Sequence, residues 1–104
     1  MKHDEWKSQC ELVKLLRDHG IIVFSIPNER NQGVSDAVRM RASGLTKGAP
    51  DLVCLLNYNR CVFLELKTKT GTRSIEQKAV AAALEDRGFE YRLVRSVDDI
   101  QDLL

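Results

Sequence analysis

Two short apolar segments separated by a polar turn constrain the fold of this 104-residue chain more than any other feature. Residues 52–56 and 61–64 are rich in Val, Leu, Cys and Phe, and Asn57-Tyr58-Asn59 lies between them. Apolar runs of this length, bounded by turn-forming residues, are typical of neighbouring β-strands joined as a hairpin. Because both runs are almost continuously apolar, we expect both faces of both strands to be buried, as in the centre of a sheet.

Three charged residues stand at one end of this predicted hairpin. Asp51 precedes the first strand, and Glu65 and Lys67 come at the end of the second. Side chains alternate between the faces of a strand, so Glu65 and Lys67 share a face. A three-residue turn places Asp51 directly across from Glu65, with Cβ atoms about 4.5–5.5 Å apart.

Two ionised carboxylates at this separation repel each other unless a cation lies between them. Mg²⁺ typically binds one or two carboxylates together with phosphate oxygens and water. A single charge at a strand end more often reaches solvent or pairs across the sheet, which is the alternative for each residue alone. A cluster at the end of buried strands is unfavourable unless it is paired or binds a metal, so the three together predict a metal-dependent phosphodiesterase site.

Further motifs surround the hairpin in a fixed order along the chain. Pro50-Asp51 followed by Glu65-Leu66-Lys67 matches the PD-(D/E)XK signature of restriction-like nucleases. With Glu11, the segment Pro27-Asn28-Glu29-Arg30 and Ser74-x-x-Gln77, the set resembles a stand-alone VRR-NUC (virus-type replication-repair nuclease) domain of viral or bacterial type. The resemblance covers essentially the whole chain.

The resemblance implies an α/β restriction-endonuclease-like PD-(D/E)XK fold, a small mixed sheet flanked by helices, in a single domain spanning residues 1–104. It also implies Mg²⁺ or Mn²⁺ as the cofactor. The catalytic residues that it implies are Glu11, Asp51, Glu65, Lys67 and Gln77, and the metal ligands are Glu11, Asp51, Glu65 and the main-chain carbonyl of Leu66.

Hydrophobic periodicity and turn residues predict an element order consistent with this fold. The order is a helix at 4–19, a strand at 21–26, a short helix at 35–43, the hairpin, a helix from 74 to 87, a strand at 90–95 and a helix at 96–104.

Two of the implied site residues have a structural alternative. Glu11 lies at the margin of the apolar stripe of the first helix, where a glutamate is usually a surface residue. Ser74 and Gln77 have the spacing of a capping box, in which Gln77 bonds back to the Ser74 backbone. We expect Gln77 to face the metal site, with the cap as the alternative or as a second state.

The distribution of charge is compatible with DNA binding, although the formal net charge is only +1. Residues 28–78 carry nine Lys and Arg against five Asp and Glu, so positive charge surrounds the predicted site. For Asn28 and Arg30 the alternative to a DNA contact is that they close the turn. For the remaining candidates the alternative is a solvated surface position. The candidate DNA-binding residues are Asn28, Arg30, Arg39, Arg41, Lys47, Lys69 and Arg73.

Composition excludes several classes of protein. No apolar run approaches the ~20 residues that span a bilayer, and the N-terminus leads into no signal-peptide core, so we expect no membrane partner. Three cysteines without CxxC spacing argue against a disulfide framework and against a zinc site. We expect a cytoplasmic location, which is the host cytoplasm if the protein is viral.

These observations predict an enzyme that hydrolyses DNA phosphodiester bonds. A chain of 104 residues has little room for a separate recognition domain, so we expect recognition of backbone shape rather than of sequence. The isolated members that the chain resembles are homodimers that cleave four-way junctions, which implies a Holliday junction resolvase of repair and recombination. The alternatives are a flap, branched-end or less selective nuclease, a non-catalytic DNA-binding module, and a small acid-rich structural domain.

Overall fold

The computed structural model of the protein describes residues 3–27, 38, 41–44 and 46–104, with side chains from residue 7 onward within these ranges. Its elements are helix α1 (His3–Asp18), strands β1 (Ile22–Ser25), β2 (Leu52–Leu55) and β3 (Cys61–Leu66), helix α2 (Ile75–Asp86), strand β4 (Glu90–Val94) and a 3₁₀ helix (Val97–Leu103). The order agrees with the sequence prediction. Of the short helix predicted at 35–43, residues 38, 41 and 42 are helical, and 35–37, 39 and 40 lie outside the described residues.

The last element is a 3₁₀ helix rather than the unspecified helix that the sequence predicts. Val97, Ile100 and Leu103 are spaced by three residues, and the last two are buried. Because a 3₁₀ helix has three residues per turn, this spacing places all three on one side. The apolar spacing of this segment therefore favours the tighter helix.

The four strands form a mixed sheet in the order β1-β2-β3-β4. The pairs β1–β2 and β2–β3 are antiparallel, whereas β3 and β4 are parallel. In the β2–β3 pair Leu52 lies opposite Leu64, and the Asp51 backbone N–H donates to the Leu64 carbonyl at 3.0 Å. The ladder ends at this pair, so the direct opposition of Asp51 and Glu65 stays a prediction, although both residues lie at this end of the hairpin.

The turn of the hairpin comprises the three residues predicted from the sequence. The Leu56 N–H donates to the Arg60 carbonyl at 2.8 Å, which closes the turn. Tyr58 and Asn59 have φ values of 61° and 62°, in the left-handed region that asparagine tolerates better than most residues. The Tyr58 side chain is 99% exposed, so it packs against nothing in this region.

The hydrophobic core lies on one face of the sheet, beneath α1 and the 3₁₀ helix. Residues from both helices pack there against alternate residues of the strands. The buried members are Leu12, Leu16, Ile21, Val23, Leu52, Cys54, Val62, Leu64, Val94, Ile100 and Leu103.

The prediction that both faces of the hairpin are fully buried is wrong for the opposite face. There Val53 and Phe63 are half-buried, and Leu55 is 38% exposed. The reason is that α2 covers this face on the β4 side, while Ile22 and Phe24 of β1 remain 55% exposed. The two strands are central in the sheet order but are covered completely on one face only.

None of the helices in the described part of the chain combines the length and the apolar character needed to cross a lipid bilayer.

Candidate active site

The carboxylates of Asp51 and Glu65 meet where β2 begins and β3 ends. The Leu66 backbone N–H donates to Oδ2 of Asp51 at 2.7 Å, so the Asp51 side chain is held against the end of β3. Alternation along β3 places Glu65 on the sheet face that α2 covers. The two acids therefore lie side by side at one end of the sheet.

Glu65 is the buried acid of the pair, with 1% of its surface exposed. The pKa of Glu65 is raised to about 9, mainly by burial and also by its hydrogen bond and charge repulsion with Asp51, whereas Lys67 and Arg73 oppose the rise. No N–H group in the described part of the chain donates to its Oε1 atom. At neutral pH the metal-free site therefore retains a proton on the carboxyl pair.

Gln77 joins the helix cap to the buried acid. The Gln77 side-chain Oε1 accepts a hydrogen bond from the Ser74 backbone N–H at 2.8 Å, and the Gln77 backbone N–H donates to the Ser74 hydroxyl at 3.1 Å. Its Nε2 donates to Oε2 of Glu65 at 3.2 Å. The carboxamide performs both functions in one state, because Ser74 requires the oxygen and leaves the NH₂ group for Glu65.

A close backbone contact places the first turn of α2 beside the Asp51 loop. Gly48 has a φ of +87°, and a Cβ atom built on it would lie 2.5 Å from the Glu76 carbonyl carbon and 2.8 Å from the Gln77 nitrogen. Any other residue here would be strained and would push α2 away. Gly48, three residues before Asp51, thus allows α2 to approach the loop that carries this acid.

Two cations accompany the acids. Lys67 follows Glu65 by two residues, and its backbone N–H donates to the Val94 carbonyl at 3.0 Å. Lys67 and Arg73 both lie near enough to Glu65 for their charges to favour its ionised form. The site therefore combines two carboxyl groups with two cationic side chains.

The loop after β3 is held by Arg95, which follows β4. Its Nη1 donates to the carbonyls of Thr68 at 2.7 Å, Lys69 at 3.3 Å and Gly71 at 2.7 Å. The Gly71 N–H also donates to the Thr68 hydroxyl at 3.1 Å. These bonds fix the loop that carries the site's cations.

Glu11 does not join the carboxyl pair. It is exposed and lines a cavity of about 550 Å³ together with Leu66, Lys67 and Lys69. Among the described residues, no three His, Cys, Asp or Glu side chains form a group that could hold a metal ion. A ligand role for Glu11 therefore stays a prediction.

The candidate DNA contacts are partly within the described residues. Arg41, Lys47 and Lys69 are exposed, and the Lys47 ammonium lies 3.5 Å from Oε1 of Glu76 at the start of α2. Asn28, Arg30 and Arg39 lie outside the described residues.

The fold can be compared with known structures. It superposes on a structure described as a VRR_NUC domain with a TM-score of 0.69, covering 95% of this chain and 91% of that chain, at 19% sequence identity. The chain has the VRR-NUC fold. The expected PD-(D/E)XK-like α/β fold is thereby confirmed, although the sequence matches no protein-family model and resembles no curated protein.

Within this VRR-NUC fold, the donor set fits a divalent cation. Glu65 is buried beside a second carboxyl group, and its Oε1 atom lacks an N–H partner among the described residues. Hard cations such as Mg²⁺ and Mn²⁺ prefer carboxylate and carbonyl oxygens, which Asp51, Glu65 and the Leu66 carbonyl would offer. A cation could then replace the proton that the pair shares.

Tyr91 and Arg95 are site neighbours that sequence reasoning misses. Both depend on β4 being parallel to β3, which places Tyr91 beside Phe63 and Val94 beside Leu66. No local motif marks either residue. Only a prediction of the register between β4 and β3 could have placed these two residues beside the site.

Proposed function

We propose that this chain is a Mg²⁺- or Mn²⁺-dependent endodeoxyribonuclease, formed as a single domain over residues 1–104. The observation that carries the proposal is the close approach of Asp51 to the buried Glu65, where β2 begins and β3 ends. Burying a glutamate that must first take up a proton at neutral pH costs folding free energy. A side chain that is always neutral would not have this cost, so folding alone does not explain an acid at this position. The VRR-NUC fold supports the same reading.

The chain's residues have distinct roles in this proposal. Asp51 and Glu65 hold the cation, with the Leu66 carbonyl and Glu11 as further proposed ligands. When bound, the cation supplies positive charge that activates water and offsets the charge of the phosphate.

Gln77 orients Glu65 through the 3.2 Å hydrogen bond and helps to position the attacking water. Lys67 acts as a fixed cation beside the charge that develops on phosphorus. In hydrolysis the water oxygen forms a new P–O bond, one ester P–O bond breaks, and the departing oxygen takes up a proton.

We infer that the substrate is branched DNA, with a four-way junction as the first choice, cleaved by a homodimer during repair or recombination. A two-fold axis relates two identical active sites, which suits matched cuts in a symmetric junction. Three free cysteines are compatible with a cytoplasmic location, which would be the host cytoplasm for a viral protein. The DNA contacts in this proposal are Asn28, Arg30, Arg39, Arg41, Lys47, Lys69 and Arg73.

The test is cleavage of a labelled four-way junction, a flap and a plain duplex, each with Mg²⁺, Mn²⁺ or EDTA. Wild type is compared with Lys67→Ala and with Lys14→Ala, which removes an exposed lysine paired with Asp18 on α1. We expect paired, metal-dependent nicks in the junction from wild type and Lys14→Ala, and at least a hundredfold less from Lys67→Ala (~10²–10³ for a lost charge stabiliser).

Each other outcome has a defined meaning. Metal-dependent cutting of flaps or duplex alone would support the proposed active site but would contradict the four-way junction as the substrate. Binding of DNA without cutting under any metal would contradict the enzyme and favour a non-catalytic binding module.

A further inference from the structure

Arg73 is placed on the face of an aromatic ring beside the carboxyl pair. Its guanidinium carbon lies 5.7 Å from the centroid of the Tyr91 ring. Arg73 directly precedes Ser74, the N-cap of α2, so its backbone is anchored by the same turn that carries Gln77. A cation over an aromatic face at this distance is attracted by the ring's quadrupole.

The strand register brings Tyr91 to the site. Tyr91 pairs with Phe63, and Leu93 pairs with Glu65, in the parallel β3–β4 ladder. Paired residues of a ladder share a face, so Tyr91 lies on the same face as Glu65, opposite the residue two positions before it. The Tyr91 ring therefore lies on the same sheet face as the buried Glu65, close to it.

The Tyr91 ring gives Arg73 its contact surface, and the Tyr91 hydroxyl lies near the same guanidinium. The Tyr91 Oη atom is buried and lacks a hydrogen bond of ordinary length within the described part of the chain, but it lies near enough to Arg73 for the guanidinium to oppose the rise of its pKa. Burial is the largest cause that raises the pKa of Tyr91, so the hydroxyl remains neutral at physiological pH. A phenylalanine would keep the ring that Arg73 contacts and would remove the hydroxyl, so it tests which of the two positions Arg73.

Stacking suits an arginine that must meet a phosphate. A guanidinium that stacks flat on a ring leaves its N–H groups in its own plane, where they form a rigid outward-pointing fork. The spacing of these N–H groups matches the oxygens of a phosphate. Contact with the ring also limits the rotamers of the long arginine side chain, which positions it before substrate binds. The charge of Arg73 already acts on Glu65 across the site.

We propose that Tyr91 is a positioning residue that holds Arg73 at the carboxyl pair, where the guanidinium binds the non-bridging oxygens of the scissile phosphate. The inference rests on the proposed nuclease function and specifies which cation meets the reacting group. It distinguishes Arg73, which lies over a ring beside the carboxyl pair, from the exposed Arg41, Lys47 and Lys69, which we propose only as contacts with the DNA backbone.

The test uses purified full-length protein with the best DNA substrate and metal found for wild type. The variants are Tyr91→Phe, Tyr91→Leu, Arg73→Lys and the double variant Tyr91→Leu/Arg73→Lys. Tyr58→Leu is the matched control, because it makes the same substitution at a side chain that is 99% exposed at the far end of the hairpin. Melting temperatures establish that each variant is folded.

We expect Tyr91→Leu and Arg73→Lys each to lower kcat about tenfold while KM changes less than kcat. Tyr91→Phe and Tyr58→Leu should keep the wild-type kcat, because the first keeps the ring and the second is remote from the site. The double variant should be no slower than Arg73→Lys alone, since both changes remove the same contact.

Three results would overturn the inference. One is a wild-type kcat in Tyr91→Leu or Arg73→Lys, and another is additive losses in the double variant. The third is a loss in Tyr91→Phe equal to that in Tyr91→Leu, which would assign the role to the hydroxyl. These failures differ from failure of the proposed function, in which wild type itself cuts no DNA and both proposals fall.

Discussion

At the scale of single residues, the protonation of Glu65 connects folding with the proposed metal binding. The folded protein keeps a proton on this acid up to about pH 9, whereas an exposed glutamate in the unfolded chain loses it near its ordinary value of 4.5. Between these values the folded state binds more protons than the unfolded state. The contribution to stability is therefore complete below pH 4.5 and is lost as the pH rises toward 9.

Replacing Glu65 with glutamine should remove this pH dependence in EDTA. The amide has the shape of the protonated acid but does not titrate, so the variant should melt higher than wild type at pH 8, by about 4 °C or more. The two proteins should converge near pH 5. Thermal unfolding by circular dichroism between pH 5 and 9 measures this, and parallel curves for the two proteins would contradict it.

Gln77 and Ser74 allow the helix cap to be separated from the active site. Ser74→Ala removes the hydroxyl that accepts the Gln77 N–H but keeps the backbone N–H that orients the carboxamide. We expect it to destabilise the protein by about 1 kcal/mol and to leave kcat nearly unchanged. Gln77→Ala should lose similar stability and also lower kcat, about tenfold to hundredfold, because Glu65 loses its N–H donor.

Urea unfolding and single-turnover cleavage measure the two effects. Equal kcat values for Ser74→Ala and Gln77→Ala would show that Gln77 acts only as a cap.

At the scale of elements, the approach of α2 to the loop before β2 is what places Gln77 at the site. This approach depends on the absence of a side chain at Gly48, where a Cβ atom would lie within 2.8 Å of backbone atoms of α2. A backbone contact cannot yield as a flexible side chain can. The helix would have to move, and Gln77 would move with it.

Gly48→Ala and Gly20→Ala form a matched pair for testing this contact. Both glycines have positive φ, +87° and +80°, but a Cβ atom at Gly20 meets nothing within 4 Å. Gly20→Ala should therefore cost only the ~1–2 kcal/mol of a left-handed alanine. Gly48→Ala should cost more and should also lower kcat, as measured by urea unfolding and cleavage assays. Equal losses of stability with unchanged activity would contradict the account.

At the scale of the whole molecule, the sequence predicts what depends on local pattern. The hairpin register follows from two apolar runs and a three-residue turn, and it suffices to bring Asp51 and Glu65 to the same end of the sheet. The resemblance to VRR-NUC domains adds the fold, which the structural similarity confirms.

Features that depend on tertiary packing are less accessible from the sequence. Leu55 is exposed because α2 covers only part of its sheet face. Tyr91 lies beside the site because β4 pairs with β3 in a parallel register. The dual role of Gln77 needs the distance between α2 and β3. Periodicity and spacing carry none of this information.

The most direct test of the central claim is calorimetric titration of Mn²⁺ into wild type and Glu65→Gln near pH 7.5, in two buffers of different ionisation enthalpy. Because the carboxyl pair retains a proton that a cation must displace, we predict saturable binding with release of about one proton per wild-type chain. Glu65→Gln should bind at least tenfold more weakly (~10-fold or more for a lost carboxylate ligand) and release none. Equal binding by both proteins, or no binding by wild type at millimolar Mn²⁺, would contradict the assignment of Asp51 and Glu65 as a metal site.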